Sequence, residues 1–141
     1  MEEEREFQWK SVIWSAILIF VIPFIVQLLI PTVYATYTGF QTRGDQDAIN
    51  QAVQTITRTS WLPIVICAAY ALTALWRGAA LAKKVEYRPD LHALAAGGLA
   101  SIPVIILSLG DLVFALILVV LIVGGAYLGA LLGKPRNKAE G

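Results

Sequence analysis

The chain has 141 residues, 57% of them hydrophobic and only 15% charged, with a net charge of +1 and a mean hydropathy of +0.68. Soluble domains average about a quarter charged residues, whereas here the charges gather in a few short stretches separated by nearly charge-free intervals. That pattern excludes an ordinary soluble domain and a basic nucleic-acid-binding domain, and it fits one small bundle of membrane-crossing helices.

The opening MEEEREFQWK is acidic. The apolar run after it is too long for a signal-peptide core, and no small-residue cleavage pattern follows, so the first segment is expected to stay in the protein. Four apolar segments succeed one another, at about 11–35, 61–82, 91–109 and 112–133. Each is close to the roughly 20 residues that cross about 30 Å of hydrocarbon at about 1.5 Å per residue. Only backbones with closed hydrogen bonding survive in lipid, so the expected fold is all-α, an antiparallel bundle of four transmembrane helices. A short segment 1–10, an outer loop 36–60, a basic loop 83–90 and a tail 134–141 complete the chain.

The first span carries Pro23 and the mid-membrane amide Gln27, and an interhelical hydrogen bond is the expected use of that amide. "IPFIV" (22–26), "LPIVI" (62–66) and "IPVII" (102–106) each set a proline before a β-branched run. Pro63 falls in the first turn of its span, while Pro23 and Pro103 are interior and expected to kink their helices. The outer loop opens with the turn-forming "TYTGFQTRGD". From Asp45 onward Ile49, Ala52, Val53 and Ile56 recur at helical spacing between polar residues, which predicts a short amphipathic helix that either lies on the outer surface or continues straight into the second span, a polar extension of that span being favoured over a docking surface. "RGD" (43–45) reads as a chance tripeptide, and Asp45 and Asp47 alone make a poor cation site.

The second span holds the lone cysteine, Cys67, which has no disulfide partner and no metal-ligand spacing and reads as a small hydrophobe. Near its end Arg77 is expected to snorkel to the interface, with contact to an anionic lipid head group, helped by Lys83, Lys84 and Arg88, as the alternative. The third span begins with His92, the chain's only histidine, at the inner interface; a structural role is expected, with haem ligation as the outside option. The turn "SLGD" (108–111) lets Gly110 end the third helix and Asp111 cap the fourth. In the fourth span Gly125, Gly129 and Gly133 are spaced four apart. Together with Gly97 and Ser101 of the third span they are the expected helix-packing positions, within this chain or, for part of the strip, against another subunit or copy, because small residues let helix backbones approach in lipid.

Counting cations sets the orientation. Arg5, Lys10, Arg77, Lys83, Lys84, Arg88, Lys134, Arg136 and Lys138 fall on one side, nine of eleven, against Arg43 and Arg58 on the other. The bias predicts a multi-pass protein of the cell (inner or plasma) membrane with both termini cytoplasmic. Trp9, Trp14, Trp76 and Tyr127 would then lie at the inner boundary, and Tyr34, Tyr37, Phe40 and Trp61 at the outer one. None of the ten acidic residues sits in the middle of a span, which speaks against a coupled secondary transporter acting alone. No nucleophile–base pair and no phosphate-cradling loop is readable, so no catalytic residue, enzyme activity or metal site is expected.

In "AAGGLASIP" (95–103) and "GGAYLGALLG" (124–133), following a basic second loop, the chain resembles small, mostly uncharacterised four-span prokaryotic membrane proteins with a glycine-rich last helix. The resemblance implies the four-helix fold and no activity. The leading expectation is a non-catalytic accessory subunit in the bilayer, packing against other membrane subunits or itself, for instance in an energy-transducing complex, with no nucleic-acid partner. One rival is a homo-oligomeric channel or small-solute carrier with Gln27, Thr73 and Ser101 facing an axis. Another is a lipid-responsive regulator acting through the basic loop.

Overall fold

The structure, a computed structural model, describes residues 7–134. Arg5, Arg136 and Lys138 lie outside the described residues, as do most of the acidic opening and all of the tail beyond Lys134. Five helices follow in order: α1 (Trp9–Gln41), α2 (Gln46–Arg58), α3 (Trp61–Lys84), α4 (Pro89–Leu107) and α5 (Leu112–Gly133). All but α2 are long and apolar enough to cross a membrane.

α1 differs most from the sequence expectation. Its 33 residues run through Pro23 and Pro31 and on to Gln41, absorbing the stretch read as the start of a loop. The hydroxyls of Thr32, Thr36 and Thr38 donate to the carbonyls of Leu28, Thr32 and Tyr34, each four residues back, at 2.7, 2.8 and 3.0 Å. These threonines therefore satisfy their polar groups within the helix instead of breaking it. At about 1.5 Å per residue α1 is about 50 Å long, well beyond a hydrocarbon core of about 30 Å. The chain reverses at Arg43 and Gly44, both with positive φ (54° and 86°). Asp45 then caps α2, its carboxylate accepting from the backbone N–H of Asp47 at 3.0 Å. α2 lies back against α1, with Ile56 buried and Ile49 against Gly39.

Contact register gives the directions of the four long helices. Ala71, Leu75 and Ala79 of α3 meet Gly125, Gly129 and Gly133 of α5 in step, so α3 and α5 run the same way. Along α4 and α5 the order reverses, from Gly97 beside Val123 to Val104 and Leu107 beside Phe114 and Leu118. α1 runs with α4, from Gln8 at His92 to Ala16 and Phe20 beside Leu99 and Ala100. The most extensive interface joins α3 to α5, the next α4 to α5, and α1 closes the bundle against α3 and α4. Small side chains dominate the core: Ala74, Ala93, Ala126 and Ala130 are fully buried, among larger residues such as Val12, Ile19 and Ile122. The outward faces are apolar nearly everywhere, for example at Ile64, Leu72, Leu116 and Val120.

Candidate functional site

Four places in the bundle gather the residues singled out from the sequence, and the first is the glycine seam. A side chain at Gly129 would collide with the carbonyl of Leu75, one at Gly133 with the carbonyl of Ala79, and one at Gly78 with the carbonyl of Ala126. At Gly125 and Gly97 a Cβ would stand 3.1 Å from the Ala71 carbonyl and from the Val123 Cα. Ser101 is buried beside this seam and donates to the Gly97 carbonyl at 2.8 Å. The packing residues named from the sequence are thus spent inside the chain, while Gly98 and Gly124 face open space. In lipid, where apolar burial supplies little drive between helices, such backbone proximity carries the association.

The second place is Arg77 on α3. It does more than reach for the interface: its Nη2 donates to the Ser15 hydroxyl of α1 at 3.1 Å. Its Nε is buried without a hydrogen-bond partner, and the guanidinium lies 5.2 Å from the Trp76 ring centroid. Lys83, Lys84 and Arg88 are exposed at the same end of the bundle, interspersed with Glu86 and Asp90. The intervening Val85 is 3% exposed and pins the loop to the core.

His92 forms the third place, and it is 0% exposed. Its Nε2 accepts from the Gln8 backbone N–H at 3.0 Å, which leaves the ring proton on Nδ1. That nitrogen donates to the Arg88 carbonyl, also at 3.0 Å. The Phe7 ring stacks on the imidazole with centroids 3.9 Å apart. The same carbonyl also takes the N–H groups of Leu91 and His92, so the histidine stabilises the left-handed Arg88 (φ 43°) at the start of α4 while holding the chain's entry segment. Both ring nitrogens are engaged, and a haem iron would have to displace one of these partners. Among the described residues no group of three or more His, Cys, Asp or Glu side chains could hold a metal ion.

The fourth place is a cavity of about 190 Å³ toward the α4–α5 turn, to which every long helix contributes. α1 gives Phe24 and Gln27, α3 gives Tyr70, the end of α4 gives Val104, Leu107 and Ser108, and α5 gives Phe114 and Leu118. Gln27 therefore does not make the interhelical bond expected of it; among the described residues it has no hydrogen-bond partner and faces this space. Thr73 and Ser101 are not brought to it. The Thr73 hydroxyl donates to the Ala69 carbonyl of its own helix at 2.7 Å. Sequence reasoning did not single out Tyr70, though a tyrosine in mid-span, away from both interfacial belts, needs a hydrogen-bonding reason to be there. The His92 tether and the Ser15–Arg77 bridge were also missed, since they join residues 84 and 62 positions apart.

Comparison with protein-family models, curated proteins and solved structures returns no match.

Proposed function

We propose that the chain is a multi-pass protein of a cell membrane, both termini cytoplasmic, that serves as a non-catalytic accessory subunit beside other transmembrane subunits, for instance in an energy-transducing complex. Its glycine faces are used internally, so support for a partner rests instead on α1. This is the least covered of the four long helices, with 22% of its most apolar window buried against 28% to 39% for the others. It is also the longest, and it presents Leu29, Val33, Tyr37 and the 82% exposed Phe40 outward. A helix that outlasts the hydrocarbon core with aromatic residues still exposed is suited to a neighbouring subunit.

Photo-crosslinking in native membranes tests the reading, with the reactive group placed at Val33 on α1 or at Leu116 on the outer face of α5. A discrete protein adduct from Val33 and none from Leu116 is the expected result. Lipid adducts alone from both positions, together with a native mass equal to one chain, would overturn it. The channel reading is less well supported, because two of its three axis residues, Thr73 and Ser101, bond back to their own helices.

A further inference from the structure

We propose that Arg77, held by Ser15 at the boundary of α1 and α3, binds the phosphate of one anionic phospholipid. This inference does not rest on the accessory-subunit reading. Arg77 stands seven residues before the end of α3, about 10 Å inside it at about 1.5 Å per residue. Snorkelling would carry the guanidinium outward to the helix end. Instead Nη2 reaches sideways to the Ser15 hydroxyl, six residues into α1 and at a similar depth. The cation is thus kept below the exposed Lys83 and Lys84 rather than among them. Among the described residues no carboxylate pairs with it, and its Nε is the one buried side-chain nitrogen or oxygen without a hydrogen-bond partner. Arg77 as a whole is only half-buried, so Nη1 stays open to an anion arriving from the surface. An ionised side chain drawn inside a span calls for a partner of opposite charge.

Depth and charge narrow that partner. Trp14 and Trp76, next in sequence to Ser15 and Arg77, are 58% and 55% exposed. Exposed indoles collect at the level of the lipid head groups, so the open edge of the guanidinium lies where lipid phosphates lie. The Trp76 ring, 5.2 Å from the guanidinium, attracts the cation but cancels none of its charge. A guanidinium matches phosphate oxygens with several N–H groups in one plane. The same end of the bundle also exposes Lys10, Lys83, Lys84, Arg88 and Lys134, against only Glu86 and Asp90 among the described residues. Such a surplus draws lipids of net negative charge and repels the choline of a zwitterionic head group. A carboxylate on a neighbouring protein would carry the same sign, but nothing here fixes one at this depth, whereas phosphates line the whole interface.

The full chain in mild detergent is titrated with phosphatidylglycerol or, separately, phosphatidylcholine, and native mass spectrometry counts the lipids kept on each chain. One phosphatidylglycerol per chain is expected at concentrations that leave phosphatidylcholine unbound. Arg77→Gln should weaken that binding about tenfold, the loss of one charge-assisted hydrogen bond. Lys84→Gln removes an equal charge from an exposed position and should weaken it less. Melting temperature separates binding from folding: phosphatidylglycerol should raise that of the native chain and leave that of Arg77→Gln unmoved. A bridge to Ser15 with no lipid role predicts instead a variant that is less stable throughout yet still responds to phosphatidylglycerol. Inorganic phosphate in place of the lipid should not raise the melting temperature. Should the variant fail to fold, the native chain's choice between the two lipids decides. Equal binding of both lipids, equal losses from Arg77→Gln and Lys84→Gln, a variant that still responds to phosphatidylglycerol, or stabilisation by inorganic phosphate as large as by the lipid would each overturn the proposal.

Discussion

Gly129 and Gly98 have the same residue type in the same kind of apolar helix, and their surroundings set them apart. A methyl group at Gly129 meets the Leu75 carbonyl, which belongs to rigid helix backbone and cannot rotate away, whereas one at Gly98 meets nothing within 4 Å. Gly129→Ala therefore forces α5 away from α3 and is expected to cost about 1–3 kcal/mol, the usual range for overpacking a tight core. Gly98→Ala is expected to gain up to about 1 kcal/mol, because alanine is the better helix former and no contact opposes it. Thermal unfolding of the two variants in the same detergent separates them, and equal melting temperatures would refute the backbone-contact account. The four-residue spacing of Gly125, Gly129 and Gly133 was readable in the sequence, because a helix places such positions on one face. What lay opposite was not. The spacing carries no information about whether α3, another subunit or lipid covers that face, and the answer came from the register of Ala71, Leu75 and Ala79. His92 is similar: its place at the start of a span was legible, but its partners Phe7 and Gln8 lie three helices earlier, Gln8 84 positions away in sequence.

At the scale of elements, legibility followed the strength of the local signal. α5 is apolar throughout and begins after an Asp whose carboxylate accepts from the Phe114 N–H at 3.0 Å, so cap and periodicity agree on where it starts. The end of α1 was less legible, since Thr, Tyr and Gly read locally as a turn while hydroxyl back-bonding and the packing of α2 keep the helix going. α2 joins the bundle mainly along α1, and most of its length is polar and exposed. Its attachment therefore depends on a few groups: the Asp45 cap, Ile49 against Gly39, and the buried Ile56. Asp45→Ala removes the acceptor for the first free N–H groups and is expected to cost about 1 kcal/mol of α2 stability. Amide hydrogen exchange localises the effect: residues 46–50 should exchange several-fold faster, with α3 and α5 unchanged. Equal acceleration along α5 would mean that α2 is coupled to the whole bundle and that its marginal attachment is misjudged.

Orientation belongs to the whole molecule, because no single helix determines it. Among the described residues Lys10, Arg77, Lys83, Lys84, Arg88 and Lys134 lie at the end of the bundle that holds His92, and Arg43 and Arg58 lie at the other. Both ends carry acidic residues, but insertion responds to Lys and Arg near the span ends far more than to Asp and Glu. The exposed Trp9, Trp14 and Trp76 at the first end, and Tyr34, Tyr37, Phe40 and Trp61 toward the second, mark where two interfaces would fall. Single cysteines in a Cys67→Ala background read the result, with Asn50→Cys on α2 and Glu86→Cys in the α3–α4 loop, both at exposed positions. An impermeant maleimide applied to intact cells should label Asn50→Cys, and should label Glu86→Cys only after the membrane is opened; the opposite pattern would invert the topology. The imbalance is also large enough to survive partial removal. Lys83→Gln with Lys84→Gln leaves four described cations against two, so the labelling pattern should persist, whereas a reversal would mean that these two lysines alone decide which way the chain is inserted.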